Sequence, residues 1–147
     1  MDYTNDYKSR NSGGDIADDK CVEYLRKRNV FYIRNGFDQQ NEKIPSNKFF
    51  KIPNVIRSQP DFIIITSDAY FLEVKGCKEI LRLKLDDLKS YDFWDNQMSL
   101  YVFVYSTLER SHKIISYAKL SEIAYTCSMD YYEDNNKAYY KIPWERI

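Results

Sequence analysis

Residues 60–76 read Pro-Asp-Phe-Ile-Ile-Ile-Thr-Ser-Asp-Ala-Tyr-Phe-Leu-Glu-Val-Lys-Gly, and their pattern predicts a β-hairpin. Two runs of β-branched and aromatic residues flank a Ser-Asp pair, which favours a turn. Three charged residues, Asp61, Glu73 and Lys75, interrupt this apolar ribbon. Because a buried charge costs free energy unless it is paired or binds a metal, the three charges together indicate a site.

The length of the hairpin connection sets which face each charge occupies. Glu73 and Lys75 share a face, because side chains alternate along a strand. Asp61 joins them if the connection has an odd number of residues, or if a bulge restores the phase. We therefore predict a three- or five-residue connection, or a bulge. A three-residue connection at 67–69 would put Asp61 opposite Lys75 and Ile63 opposite Glu73.

The predicted hairpin is apolar on both faces, which is typical of central strands that are covered by helices. Further strands are predicted at 30–33, 49–52, 100–106, 113–118 and 138–142, the last at a sheet edge. Helices are predicted at 15–29, 83–95 and 120–127, the last capped by Ser121. This order predicts an α/β fold with a mixed central β-sheet and helices on both faces.

The pair Pro60-Asp61, followed by Glu73-Val74-Lys75, resembles the signature of the PD-(D/E)xK nuclease superfamily, which has a restriction-endonuclease-like core. The resemblance implies that Asp61 and Glu73 bind Mg²⁺ with the carbonyl of Val74, and that Mn²⁺ can substitute. It also implies that Lys75 orients the attacking water and stabilises charge at the scissile phosphate. This agrees with the preference of Mg²⁺ for a few carboxylate oxygens, water and substrate phosphate.

The stretch 17–25, Ala-Asp-Asp-Lys-Cys-Val-Glu-Tyr-Leu, resembles the first helix of small resolvase-like members of this superfamily. In those proteins an acidic residue of this helix reaches the metal site, so the resemblance implies that Asp18 is a third acidic site residue. The family more often has glutamate here, and Asp19 and Glu23 are alternatives for the role. Compensation of the helix dipole also accounts for acids in a first turn.

Basic residues are interleaved with aromatic ones before the hairpin, a pattern that suits nucleic-acid binding but also suits a solvated loop with two anchoring phenylalanines. The residues are Lys43, Lys48, Phe49, Phe50, Lys51 and Arg57. After the hairpin, Lys78 and Lys84 are candidates for phosphate contacts, and a solvated helix face is the alternative.

The composition bounds these interpretations. The 147 residues carry 22 basic and 22 acidic side chains, a balance that argues against tight, non-specific DNA binding. Three widely spaced cysteines predict neither a zinc site nor a disulfide framework. The length predicts one domain over 1–147, and the polar residues 1–14, which end in Ser-Gly-Gly, predict a flexible arm. No apolar run reaches membrane-spanning length, so we expect a soluble cytoplasmic protein, and a phage origin is compatible with its composition.

The predicted function is therefore a magnesium-dependent nuclease that hydrolyses DNA phosphodiester bonds, in the manner of a resolvase-like endonuclease on branched DNA. Because branched DNA has two-fold character, this subtype predicts a homodimer. The alternative is a non-catalytic nucleic-acid- or protein-binding module on the same fold. An RNA nuclease is a weaker alternative, because such enzymes usually depend on a catalytic histidine and His112 is not placed for it.

Overall fold

The computed structural model describes residues 3–36 and 44–147. Its helices are α1 (Tyr3–Lys27), α2 (Ser46–Phe49), α3 (Asn54–Arg57), α4 (Leu85–Gln97) and α5 (Tyr117–Ala124), and a 3₁₀ turn follows at Trp144–Arg146. Its strands are β1 (Phe31–Arg34), β2 (Phe62–Ile65), β3 (Ala69–Cys77), β4 (Ile80–Lys84), β5 (Leu100–Ser106), β6 (Ser111–Ser116), β7 (Met129–Tyr131) and β8 (Ala138–Pro143). No helix within the described residues is both long enough and apolar enough to cross a membrane.

The strands form two sheets. The larger sheet has five strands in the order β1-β2-β3-β5-β6, with β3 and β5 parallel and the other neighbours antiparallel. This confirms the predicted mixed sheet. The smaller sheet has the order β4-β8-β7 and is antiparallel. The prediction that 138–142 lies at a sheet edge is wrong, because β8 pairs with a strand on each side.

Helices cover both faces of the five-stranded sheet, as the apolar hairpin predicted. Helix α1 packs its buried residues Ala17, Cys21 and Leu25 against Phe62, Ile64, Leu72 and Phe103 on one face. Helices α4 and α5 cover the other face, where Leu88, Tyr91 and Leu120 join Phe71, Val102 and Val104. Strand β5 contributes to both clusters, which explains its nearly continuous apolar sequence.

The hairpin connection has three residues, as predicted, but the register differs from the expected one. Ile65 pairs with Ala69 and Ile63 pairs with Phe71, so the connection is 66–68 and not 67–69. The backbone N–H of Thr66 donates to the carbonyl of Asp68 (2.8 Å), which closes the turn one residue earlier.

This shift moves each pair by two residues along the partner strand, so Ile63 does not lie opposite Glu73. Continuing the ladder puts Asp61 beside Glu73 and not beside Lys75. Because the side-chain period of a strand is two residues, the shift leaves the face of every side chain unchanged.

Helix α1 begins at Tyr3 and not at Asp15, so residues 3–14 are helical where a flexible arm was predicted. Gly13 of α1 lies against Gly76 of β3 where the helix crosses the sheet. A Cβ atom at Gly76 in β3 would lie 2.5 Å from the carbonyl oxygen of Gly13 in α1. The missing side chain therefore lets the helix backbone lie directly on the strand.

Other boundaries also differ from the predictions. Residues 80–84 form β4, where Leu81 and Leu83 are buried, and α4 therefore starts at Leu85. The segment predicted as a strand at 49–52 contains the end of α2 and a turn. Helix α5 is capped by Ser116, whose side chain accepts a hydrogen bond from the backbone N–H of Lys119, and not by Ser121.

Candidate active site

The three charges of the hairpin lie together at the open end of the β2–β3 pair. Asp61 immediately precedes β2, and its carbonyl accepts a hydrogen bond from the backbone N–H of Asn35 (2.8 Å) at the end of β1. The backbone N–H of Asp61 donates to Oε2 of Glu73 (3.2 Å), and Oδ2 of Asp61 accepts from the backbone N–H of Val74 (2.8 Å). The carboxylates of Asp61 and Glu73 are thus adjacent, and Lys75 follows on the face of Glu73.

Helix α4 completes this cluster with two residues that the sequence reasoning missed. Nζ of Lys75 lies 3.2 Å from Oδ2 of Asp87 and 3.6 Å from Oε1 of Glu73. The hydroxyl of Tyr91 donates to the same Glu73 oxygen (2.7 Å), and its ring centroid lies 5.4 Å from Nζ of Lys75.

The sequence contained a weak signal for these two residues. Asp87 and Tyr91 are four residues apart, so they lie on one helix face, beside the buried Leu88. Acids are common in the first turn of a helix because they compensate the helix dipole, so this spacing alone does not indicate a site.

Burial and like charge both act on the two hairpin carboxylates. Burial is the main cause that raises the pKa of Glu73 well above its usual range; the charge of Asp61 adds to it, and Lys75 and Tyr91 oppose it. Burial also raises the pKa of Asp61, and the charge of Asp18 adds to that. A cation beside both carboxylates would favour their ionised forms.

Lys75 is held in its charged form. Its burial acts to lower its pKa, but Asp87, Tyr91 and Glu73 outweigh this and raise the pKa well above the usual lysine value. The site therefore places a lysine whose pKa is raised next to two carboxyl groups whose pKa values are also raised. This combination of perturbed groups in one cluster is typical of functional sites.

Asp18 lies near this cluster but is paired elsewhere. Both of its carboxylate oxygens accept hydrogen bonds from the guanidinium of Arg34, at 3.2 and 2.7 Å. Its charge nevertheless acts on Asp61. Burial is the main cause that raises the pKa of the Cys21 thiol, and the charges of Asp18 and Asp61 add to it. Of the two alternatives, Asp19 is exposed and Glu23 is ion-paired along α1 with Lys20 (3.6 Å) and Lys27 (2.8 Å).

The donor atoms suit a hard divalent cation. Within residues 3–36 and 44–147, no group of three or more His, Cys, Asp or Glu side chains is arranged to hold a metal ion. Two carboxylates are sufficient for Mg²⁺, which is usually bound by one or two of them together with water and substrate phosphate. The N–H of Val74 points towards Asp61. Because the carbonyl and the N–H of a strand residue point to the same side, the Val74 carbonyl also points to the side of Asp61.

The basic residues that the sequence suggested as nucleic-acid contacts lie in several parts of the chain. Lys43 lies outside the described residues. Lys78 is exposed in the connection between β3 and β4. Lys84 ends β4, and its Nζ lies 5.6 Å from the ring centroid of Tyr132. Lys48, Lys51 and Arg57 lie in or beside α2 and α3, upstream of Asp61.

The five-stranded mixed sheet with helices on both faces is a nuclease-like α/β fold. Among solved structures, the chain is similar to a nuclease from a fusselovirus, with a TM-score of 0.52 over 92% of this chain and 82% of that chain. The two sequences are 11% identical, so the similarity is one of fold. No protein-family model and no curated protein matches the sequence.

Proposed function

We propose that this protein is a magnesium-dependent nuclease that hydrolyses DNA phosphodiester bonds internally. The observation that carries the proposal is the adjacency of Asp61 and Glu73, with the Lys75 ammonium 3.6 Å from the Glu73 carboxylate. The nuclease-like fold supports it, because the similar structure is that of a viral nuclease. The Pro-Asp and Glu-x-Lys pattern supports membership of the PD-(D/E)xK superfamily.

In this proposal Asp61 and Glu73, together with the Val74 carbonyl, hold Mg²⁺, and Mn²⁺ can replace it. An ion held by these residues would supply an acidic bound water and would offset charge on the phosphoryl oxygens. Lys75 supplies a preorganised positive charge for the transition state and orients the attacking water. Because Asp87 holds the lysine ammonium and Tyr91 holds the Glu73 carboxylate, neither group needs to reorganise during the reaction.

The proposal includes branched DNA as the preferred substrate, cut by a homodimer, with Asp18 as a further acidic residue at the site. Two-fold symmetry in the protein would match the two-fold character of a DNA junction. The charge of Asp18 acts on Asp61, which supports its inclusion. The proposal also includes a phage origin and a cytoplasmic location; the similar nuclease likewise comes from a virus, which supports the viral origin.

The test is a cleavage assay on end-labelled linear, single-stranded, flapped and four-way DNA, with Mg²⁺, Mn²⁺ or EDTA. Wild type is compared with Glu73→Gln, and Glu109→Gln serves as the control because Glu109 is exposed in the connection between β5 and β6. We expect metal-dependent cutting that Glu73→Gln abolishes and Glu109→Gln preserves. If the folded wild type cuts none of these DNAs in either metal, the proposal of a DNA nuclease is wrong, and the non-catalytic binding module or a nuclease acting on RNA replaces it.

A further inference from the structure

The segment that leads into the site is positively charged although the chain as a whole is neutral. Residues 44–60 contain Lys48, Lys51 and Arg57 and no acidic residue, whereas the whole chain carries 22 basic and 22 acidic residues. Lys48 and Lys51 are exposed and Arg57 is half-buried, and such a local excess of positive charge is of the kind that follows a phosphate backbone; we refer to these three side chains as the basic surface.

Two aromatic rings lie within this basic surface and are organised by one arginine. The ring centroids of Phe49 and Phe50 are 5.7 Å apart in an edge-to-face arrangement. The Arg57 guanidinium carbon lies 4.9 Å from the Phe50 centroid and 5.5 Å from the Phe49 centroid. Phe50 is nevertheless 68% exposed, so the ring is held in place while remaining accessible.

The guanidinium of Arg57 is held in place by a hydrogen bond to the backbone. Its Nε donates to the carbonyl of Ile52 (2.9 Å), which orients the guanidinium. Within residues 3–36 and 44–147 no carboxylate forms an ion pair with Arg57. An arginine that is both stacked and fixed is well suited to binding a phosphate.

Helix α4 connects this basic surface with the candidate active site. Nε1 of Trp94 donates to the carbonyl of Val55 (3.0 Å), and Nδ2 of Asn54 donates to Oγ of Ser90 (3.5 Å). These contacts hold α3 on α4, the helix that contributes Asp87 and Tyr91 to the site.

The chain itself limits the distance between the surface and the site. Arg57 and Asp61 are separated by four Cα–Cα steps, so their Cα atoms lie at most about 14 Å apart. That is roughly four nucleotide steps at a rise of about 3.4 Å.

We propose that Phe50, with Lys48, Lys51 and Arg57, is a stacking platform for unpaired nucleotides of a DNA strand beside the scissile phosphate. This rests on the proposed nuclease function and specifies its substrate. An aromatic ring stacks on any base whose face is open, but the base faces inside a duplex are covered by their neighbours. The platform therefore favours DNA whose strands separate near the cut, such as flaps, forks and junctions.

The test measures binding in EDTA, so that no DNA is cut, by fluorescence anisotropy of labelled single-stranded, forked and blunt duplex DNA. The variants are Phe50→Ala, Phe50→Leu and Arg57→Gln, and the matched control is Phe31→Ala. Phe31 is 67% exposed, and it pairs with Ile65 at the end of β2 that lies away from Asp61. Thermal unfolding of each variant verifies that it is folded.

We expect both Phe50 variants to lower the affinity for single-stranded and forked DNA about fivefold to a hundredfold, with less than a twofold change for blunt duplex. Arg57→Gln should also weaken binding and should reduce its dependence on salt. Phe31→Ala should bind like the wild type.

Three results would overturn the platform: wild-type binding by the Phe50 variants, an equal loss for blunt duplex, or an equal loss in Phe31→Ala. Tighter, Phe50-dependent binding of RNA of the same sequence would overturn the assignment to DNA. Because the assay needs neither metal nor cleavage, its failure is separate from that of the nuclease proposal. Phe50-dependent binding by a protein that cuts nothing would remove the nuclease and keep the platform.

Discussion

The hydroxyl of Tyr91 donates a 2.7 Å hydrogen bond to Oε1 of Glu73, and the ring of the same tyrosine lies 5.4 Å from the ammonium of Lys75. One buried residue of α4 thus contacts both charged groups of the Glu-x-Lys strand. The hydrogen bond orients the carboxylate and opposes the rise in its pKa that burial causes. Tyr91 is therefore a positioning residue for the proposed metal site.

Tyr91→Phe should retain the fold and slow cleavage by about 10- to 100-fold, which is the usual effect of removing a hydrogen bond to a metal-binding side chain. Because the lost bond lowers the pKa of Glu73, the acidic limb of the pH–rate profile should move to higher pH. The measurement is the cleavage rate between about pH 5 and 9 at several Mg²⁺ concentrations.

A matched control for Tyr91→Phe is Tyr117→Phe. The hydroxyl of this buried tyrosine of α5 donates to Oδ1 of Asp92 (2.5 Å) and lies 3.0 Å from the carbonyl oxygen of Leu88, and no hydrogen bond to Glu73 is found for it among the described residues. The control should lose stability without shifting the pH profile. An unchanged profile in Tyr91→Phe would show that its role is structural.

Asp61→Asn should stabilise the metal-free protein at pH 7 and lose this advantage in acid. Burial raises the pKa of Asp61 above its value in the unfolded chain, so the unfolded state binds fewer protons between the two pKa values. Wild-type stability therefore falls as the pH rises through this interval, which begins near pH 4. The variant does not titrate there and can still accept the Val74 hydrogen bond.

We expect the Tm of Asp61→Asn to exceed that of the wild type by about 2–4 °C at pH 7, with the difference vanishing below about pH 4. Thermal unfolding in EDTA at a series of pH values measures this. Asp19→Asn is the control, because Asp19 is exposed on α1. A variant less stable than the wild type at pH 7 would contradict the assigned cost of ionising Asp61.

Asp18→Asn should reduce cleavage more than Asp19→Asn or Glu23→Gln does, because Asp18 is close enough to Asp61 for its charge to act there, and a further negative charge attracts the divalent cation. The stability change should stay below about 1 kcal/mol, since the Asp18–Arg34 pair is partly exposed. Cleavage rates and thermal unfolding of the three variants separate these effects. Equal activity in all three would remove Asp18 from the proposed site.

Gly76→Ala should destabilise the protein by about 1–3 kcal/mol, because the added Cβ would meet the backbone of Gly13. Gly14→Ala is the matched control. Its Cβ would meet no atom within 4 Å, and alanine in a helix is favoured by about 0.5–1 kcal/mol over glycine. Denaturant unfolding measures both changes. A harmless Gly76→Ala would show that α1 does not lie on β3 in solution.

Local sequence patterns were sufficient for much of the fold. Strand β5 has the predicted bounds, because a run of apolar β-branched and aromatic residues leaves little choice of structure. The shared face of Glu73 and Lys75 followed from the two-residue period of a strand. An odd connection then put Asp61 on the same face, and both were foreseeable without coordinates.

Contacts between distant segments set the remaining features. The register of the hairpin depends on which residues form the turn, and the close approach of α1 to β3 at Gly13 depends on Gly76, far along the chain. Residues 80–84 became a strand because β8 pairs with them. Such contacts leave no local periodicity, so they could not be predicted from neighbouring residues.

The features of the candidate site also fall into two groups, those that the sequence predicted and those that depend on tertiary packing. Asp61, Glu73 and Lys75 were recognisable because charge is costly in an apolar strand, and that cost is visible within a short window of sequence. The pairing of Lys75 with Asp87, of Glu73 with Tyr91 and of Asp18 with Arg34 was not visible. Each joins two elements whose approach depends on the packing of the whole sheet and its helices, and this packing determines which charges meet.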